Sequence, residues 1–110
     1  MRPGPLALIA LVILLAGNTT WAAGDAAAGQ AKSAACQACH GAAGEGAAAG
    51  YPVLAGQHAS YLAKALADYR DGRRDNAIMQ GFAGNLSDQD IADLAAWYAS
   101  REGLDDLSTR

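Results

Sequence analysis

The sequence Cys36-Gln37-Ala38-Cys39-His40 constrains this protein more than any other part of the chain. It contains both cysteines of the 110-residue sequence, three residues apart, and a histidine directly follows the second. Two thiols at this spacing on a helical turn can reach the two vinyl groups at one edge of a porphyrin, and the next residue then lies under the iron. We therefore predict that Cys36 and Cys39 attach a c-type haem covalently and that His40 is one axial ligand of its iron.

The amino-terminal segment predicts export from the cytoplasm. Arg2 precedes an apolar run over residues 6–16, and the polar Asn18-Thr19-Thr20 and the small Ala22-Ala23 follow. This order is typical of a secretory signal peptide, and the run is shorter than the roughly 20 apolar residues that a membrane span needs. We predict that residues 1–22 are a signal peptide that is removed, leaving residues 23–110 as one domain with no stable membrane insertion. An uncleaved membrane anchor is the alternative.

Other sites also use two cysteines at this spacing. A thioredoxin-like dithiol follows a β-strand, and no strand pattern is present after the signal peptide. A zinc site needs about four ligands, which the motif together with His58 could supply, but exported free thiols tend to oxidise. A disulfide across two residues would close too small a loop to stabilise the fold well. Haem attachment is the preferred interpretation, and the zinc and dithiol sites stay open as minor alternatives.

The composition of the predicted domain argues against nucleic acid as a partner and indicates that a cofactor supplies part of the core. Removal of Arg2 leaves seven basic against eleven acidic residues. An acidic domain has no general attraction for nucleic acid, so none is expected as a partner. The chain has one phenylalanine, and few large apolar residues of the domain precede Tyr51. A domain this small is often stabilised by a cofactor, and an apolar cofactor would fill part of the core.

We predict an all-α fold with three main helices around one covalently bound haem. The first helix is expected over residues 25–35, where alanines have high helix propensity. The second, over residues 57–71, places apolar side chains on one face at intervals of three and four. The third, over residues 87–101, opens with a pattern close to a capping box. Residues 41–50 and 72–86 are expected to be loops.

The iron of an electron carrier needs a second axial ligand, because a fully ligated iron has no open site in either oxidation state. Met79 is the one methionine of the predicted domain, and it lies in the second predicted loop. A thioether ligand favours ferrous iron and raises the reduction potential. Packing in the core is the usual role of a lone methionine, but the polar surroundings of Met79 make it less natural here. We predict Met79 as the second ligand and a surface position for His58, the other candidate.

Three stretches, in this order, resemble a class I cytochrome c and, within that class, single-haem relatives of the bacterial cytochrome c4 and c-553 group. The first is the motif quoted above with Gly41. The others are Tyr51-Pro52-Val53-Leu54-Ala55-Gly56-Gln57 with Tyr61-Leu62, and Leu86-Ser87-Asp88-Gln89-Asp90-Ile91 with Leu94-Ala95-Ala96-Trp97-Tyr98. The resemblance covers nearly all of residues 24–103 and implies the cytochrome c fold. The chain departs from dihaem members in having no second Cys-x-x-Cys-His motif, so one haem c per chain is expected.

The resemblance also implies roles for single residues. Pro52 matches the proline whose carbonyl accepts a hydrogen bond from the proximal histidine, here His40, which would fix the orientation of the imidazole. Gly29 matches the small residue where the first and last helices cross, with Trp97 or Tyr98 as its aromatic partner. The side chains expected to line the haem are Leu54, Tyr61, Leu66 and Ile78.

The function that the resemblance implies is outer-sphere electron transfer in the periplasm, with no substrate and no catalysis. The expected partners are redox proteins of a respiratory chain, namely a quinol-oxidising complex or a dehydrogenase as donor and a terminal oxidase as acceptor. A haem enzyme or gas sensor is the rival, which a Met79 ligand argues against. A tightly held subunit of one dehydrogenase is a third possibility. Arg70, Arg73 and Arg74 either form a solvated helix end, pair with haem propionates, or dock an acidic partner.

Overall fold

The computed structural model describes residues 23–46 and 50–104, and every regular element within them is an α-helix. The predicted all-α class is therefore confirmed. The predicted signal peptide lies outside the described residues. In the part that is described, no helix has the length and apolar character needed to cross a membrane. The helices are α1 (Ala26–Lys32), α2 (Ala34–His40), α3 (Ala59–Arg70), α4 (Ala77–Ala83) and α5 (Asp88–Ala99).

The first predicted helix is divided in two at Ser33. It begins as expected, with the Asp25 carboxylate accepting a hydrogen bond from the backbone amide of Ala28 at 2.9 Å. At the end of α1 the buried Ser33 hydroxyl donates to the carbonyl of Gln30 at 2.7 Å. Such side-chain bonds to the backbone compete with the helical hydrogen-bond pattern. The chain then resumes as α2, which includes the whole Cys-x-x-Cys-His motif, so the predicted helix end at Ala35 was wrong.

The segment between α3 and α5, predicted to be a loop, contains α4. Asn76 caps this helix, since its side-chain oxygen accepts a hydrogen bond from the backbone amide of Met79 at 3.0 Å. Glycine at position 81 weakens the helix propensity of the segment, but the cap and packing against α3 stabilise it. The loop prediction was wrong, and Met79 is a helical residue.

The second and third predicted helices correspond to α3 and α5, with ends that differ by one or two residues. At the start of α5 the Ser87 hydroxyl accepts from the Asp90 amide at 3.0 Å, and the Asp90 carboxylate accepts from the Ser87 amide at 3.0 Å. This is the capping box expected from the sequence, with aspartate in place of glutamate. Helix α5 packs against both α1 and α3. The buried hydrophobic cluster consists of Leu62 on α3 and Leu94, Ala95, Trp97 and Tyr98 on α5.

Helices α1 and α5 cross at Gly29, as the resemblance implied. A Cβ atom added at Gly29 would lie 1.9 Å from the carbonyl oxygen of Asp93 and 2.8 Å from the Cβ of Trp97, so only glycine fits. The buried Asp93 carboxylate also joins the two helices. It accepts hydrogen bonds from the Asp25 amide at 2.8 Å and from the Lys32 ammonium at 2.6 Å. Because α2 directly follows α1, this crossing positions the motif next to the core.

Candidate functional site

A cavity of about 420 Å³ lies between α2, α3, α4, α5 and residues 50–57. Cofactor sites in proteins commonly have volumes of about 300–1,000 Å³. Each residue that the sequence predicted for the site lies in the wall of this cavity. They are Cys36, Cys39, His40, Pro52, Leu54, Tyr61, Leu66, Ile78 and Met79.

Helix α2 presents the two thiols and the imidazole to the cavity. Cys36 and Cys39 are both free and half-buried, and their spacing places them on one face of the helix. His40 is the last residue of α2 and is 7% exposed. Burial raises the pKa of the Cys36 thiol, which therefore stays protonated near neutral pH. A dithiol that performs redox exchange has the opposite property, a lowered cysteine pKa.

The His40 ring is held in one orientation and one tautomer. Its Nδ1 atom lies 2.8 Å from the carbonyl oxygen of Pro52. Because a carbonyl can only accept, Nδ1 carries the proton and donates it, which leaves the lone pair on Nε2. The Tyr51 ring packs edge-on against the imidazole, with 6.4 Å between the ring centroids. Histidines that bind metals are commonly fixed by a hydrogen bond of this kind on the other ring nitrogen.

Gly44 holds the segment that carries Pro52 beside the motif. Its carbonyl oxygen accepts hydrogen bonds from the backbone amides of Leu54 at 2.8 Å and Ala55 at 3.0 Å. Gly44 has φ +77°, and an added Cβ would lie 2.6 Å from the Tyr98 ring. Both features require glycine. The part of the glycine-rich stretch that precedes residue 47 is thus hydrogen-bonded to the site.

Helix α4 forms the side of the cavity that contains Met79. Met79 is half-buried, while Ile78 and Phe82 on the same helix are 63% and 51% exposed. Phe82 also lines the cavity and was missed from the sequence. Its position three residues after Met79 and four after Ile78 would have revealed it, had the segment been predicted as helical.

The walls of the cavity fit an apolar macrocycle that contains iron. Exposed large apolar side chains indicate a binding surface when they share one site, and here they do. The side chains that are exposed and line the cavity are Tyr51, Val53, Tyr61, Ile78 and Phe82. The cavity also contains two thiols, an imidazole with a free Nε2 and a thioether, which are the groups that attach haem c and bind its iron. The buried Tyr98 hydroxyl in the same wall has no hydrogen-bond partner among the described residues.

The residues of the zinc alternative are not brought together. His58 is exposed and does not line the cavity, in agreement with its predicted surface position. Across residues 23–46 and 50–104, no group of three or more His, Cys, Asp or Glu side chains could hold a metal ion.

Comparisons with known proteins identify the fold. The family model for cytochrome c matches residues 26–101. Cytochrome c4 of Pseudomonas aeruginosa is 52% identical over 97 residues, which cover 86% of this chain and 48% of that protein. Cytochrome c-554(548) of Halomonas halodenitrificans is 53% identical over 83 residues, which cover 73% of this chain and 100% of that protein. The crystal structure of reduced recombinant cytochrome c4 from Pseudomonas stutzeri has a TM-score of 0.70 and 44% identity, covering 74% of this chain and 48% of that one.

A further relative is named for its redox partner. A thiosulfate dehydrogenase electron acceptor of Thiomonas intermedia is 45% identical over 91 residues, covering 81% of this chain and 42% of that protein. The chain spans about half the length of this relative and of the cytochrome c4 proteins that it matches.

Proposed function

The chain belongs to the cytochrome c family, as a class I member of the cytochrome c4 group, and from this premise we propose that it is a periplasmic carrier of single electrons. The observation that supports the proposal best is the shared cavity, which brings Cys36, Cys39, His40 and Met79 together within apolar walls. Haem c, when bound there, supplies an iron that accepts and releases one electron. We propose one haem per chain, because the sequence contains one attachment motif.

The side chains of α2 hold the cofactor on one side. Cys36 and Cys39 form the two thioether bonds, which make the attachment permanent. The Nε2 atom of His40 would be the first ligand of the iron. The hydrogen bond from its Nδ1 atom to Pro52 prevents rotation of the ring and increases the electron density of the imidazole.

Met79, on α4, would supply the second ligand of the iron. The Asn76 cap fixes the start of this helix and therefore the position of the thioether. If His40 and Met79 both held the iron, it would have no open position for a substrate, oxygen or peroxide. This arrangement favours electron transfer through the cofactor edge over catalysis at the iron.

The partners we propose are redox proteins, with a dehydrogenase or a quinol-oxidising complex as donor and a terminal oxidase of a respiratory chain as acceptor. The relative from Thiomonas intermedia, named as an acceptor for thiosulfate dehydrogenase, favours a dehydrogenase as donor. It also supports a second candidate, a subunit that stays bound to one dehydrogenase. The native size of the protein in a periplasmic extract distinguishes the free carrier from the bound subunit. We propose a periplasmic location because residues 1–22 are predicted to be a signal peptide that is removed.

Expression with a haem-attachment system tests the main proposal. The purified chain should have the mass of its peptide plus one haem, begin at residue 23, and give a reversible change in absorption on reduction. The colour should survive denaturation, and a pyridine haemochrome assay should count one haem per chain. The double variant Cys36→Ala/Cys39→Ala should carry no covalent haem, whereas Ala38→Ser, between the two cysteines, should keep it. A wild-type chain without added mass would refute the proposed function.

A further inference from the structure

Two of the three arginines near the end of α3 are neutralised by carboxylates. The Arg70 guanidinium pairs with Asp71 at 2.9 Å and with Asp88 at 2.8 Å. The Arg73 guanidinium pairs with Asp68 at 2.9 Å and with Asp71 at 3.1 Å. The charges of Arg70 and Arg73 are thus balanced by carboxylates of the protein itself, and neither side chain needs a further anionic partner.

Arg74 has a different environment. No carboxylate of the described residues forms an ion pair with its guanidinium. The guanidinium carbon instead lies 4.8 Å from the centroid of the Tyr69 ring, and interaction with the nearby Tyr61 side chain is the main cause of a raised Arg74 pKa. Arg74 and both tyrosines line the cavity, and among the described residues of its wall Arg74 is the one with a permanent charge.

Arg74 lines the cavity while its residue remains exposed to solvent, so an anionic group of a bound cofactor can pair with it at the edge of the cavity. The planar guanidinium matches a carboxylate with two parallel hydrogen bonds. The cofactor proposed for this cavity carries two propionate carboxylates, and they leave the macrocycle on the side away from the vinyl groups. With its vinyl groups attached to the thiols of α2, the cofactor would have its propionates free to reach a different element of the fold.

We infer that Arg74 binds a haem propionate. This inference rests on the proposed function, because it assigns a partner to a charged residue of the same cavity. Arg74 is a positioning residue: it neutralises the propionate and fixes that edge of the cofactor. Its positive charge also disfavours the ferric state and so raises the reduction potential. The other titratable groups that face Arg74 belong to α3, namely Tyr61, Tyr69 and the more distant Asp68, since α4 has no titratable residue.

The test compares haem-loaded wild type with Arg74→Gln, Arg74→Lys and Arg73→Gln. Each protein is prepared with haem labelled with ¹³C at the propionate carboxyl groups, and infrared difference spectra are recorded between the oxidised and reduced states. The isotope shift identifies the propionate bands independently of electron-transfer activity. The reduction potential is measured on the same samples at low ionic strength, where charge effects are largest.

We expect Arg74→Gln to shift the propionate bands and lower the reduction potential, and Arg74→Lys to give intermediate values because it keeps the charge without the planar geometry. Arg73→Gln removes the same charge one residue away and should leave the bands unchanged. Wild-type bands in haem-loaded Arg74→Gln would overturn the inference and leave the proposed function intact. Equal shifts of the reduction potential in Arg74→Gln and Arg73→Gln would also overturn the inference. A wild type without haem would instead refute the proposed function, and this inference with it.

Discussion

Gly29 on α1 lies directly against Trp97 on α5, so close that a Cβ atom at Gly29 would be 2.8 Å from the Cβ of Trp97. Atoms at that distance overlap, and the added atom would also meet the backbone of α5 at Asp93. Neither contact can be relieved by turning a flexible side chain. The two helices would have to separate, and α2, which follows α1 after the single residue Ser33, would move with them.

The first prediction is that Gly29→Ala destabilises the haem-loaded protein by about 1–3 kcal/mol, the usual cost of overpacking a core. The free energy of unfolding in urea is the measurement. Gly81→Ala is the matched control, because a Cβ at Gly81 has no atom within 4 Å. Gly81 lies inside α4, where alanine should be neutral or stabilising by up to about 1 kcal/mol. Equal effects of the two variants would contradict a close crossing at Gly29.

The second prediction concerns acid stability and Asp93. Hydrogen bonds from the backbone amide of Asp25, then from Lys32 and Gln89, lower the pKa of the Asp93 carboxyl from 3.8 to about 2. Because the folded-state pKa is lowered, the ionised carboxylate stabilises the fold fully above pH 4. This contribution is lost as the pH falls from about 4 towards 2. Asp93→Asn should therefore be less stable than wild type at neutral pH.

The pH dependence separates this effect from a general loss of packing. The difference in unfolding free energy between wild type and Asp93→Asn should shrink as the pH falls from 4 to 2. Asp75→Asn, which removes an exposed carboxylate before α4, should follow the wild-type curve. A difference that is constant over this range would mean that Asp93 acts only through packing.

The third prediction is that Met79→Ala removes the weak near-infrared band that accompanies iron–thioether ligation in the oxidised protein. Loss of this ligand should lower the reduction potential and let carbon monoxide bind the reduced iron. Ile78→Ala is the matched control, since Ile78 is adjacent, lines the same cavity and is 63% exposed. An unchanged band and potential in Met79→Ala would assign the sixth position to another group.

Local signals in the sequence predicted most of the helices. The α3 periodicity and the Ser87 capping box are readable because each depends on residues within a few positions of one another. The break at Ser33 was missed because a serine is also compatible with a continuous helix, and only its buried bond to Gln30 shows the turn. Helix α4 was missed because Gly81 weakens the helix propensity of the segment and its packing against α3 is not encoded locally, although its Asn76 cap is a local signal that the prediction overlooked.

More of the candidate site than of the helix arrangement could be predicted from the sequence. The attachment motif names three residues by spacing alone, and all three line one cavity. The environment of Arg74 could not be predicted, because the carboxylates that neutralise Arg70 and Arg73 include Asp88, which is distant in sequence. Which arginine remains without a carboxylate is therefore a property of the folded chain.

The last prediction is that folding depends on the cofactor. The buried cluster on α3 and α5 is small, and large side chains such as Tyr61, Ile78 and Phe82 remain exposed on the cavity. Ordering the backbone costs about 1–2 kcal/mol per residue, and buried apolar surface returns only about 25 cal/mol per Å². We therefore expect the protein without haem to bury too little apolar surface to offset its chain entropy.

Circular dichroism of the Cys36→Ala/Cys39→Ala variant, prepared without haem, should show little helix and no cooperative thermal transition. Haem-loaded wild type and Ala38→Ser should both be strongly helical and unfold cooperatively. Helices α2 and α4 should depend most on the cofactor. Helix α2 carries the two thiols that attach it, and α4 carries the thioether proposed to bind its iron. Hydrogen exchange in a partly destabilised holo protein would test this, with the slowest amides expected where α1 crosses α5. A cooperatively melting, helical protein without haem would show that the core is complete in its absence, and would reopen the dithiol and zinc alternatives.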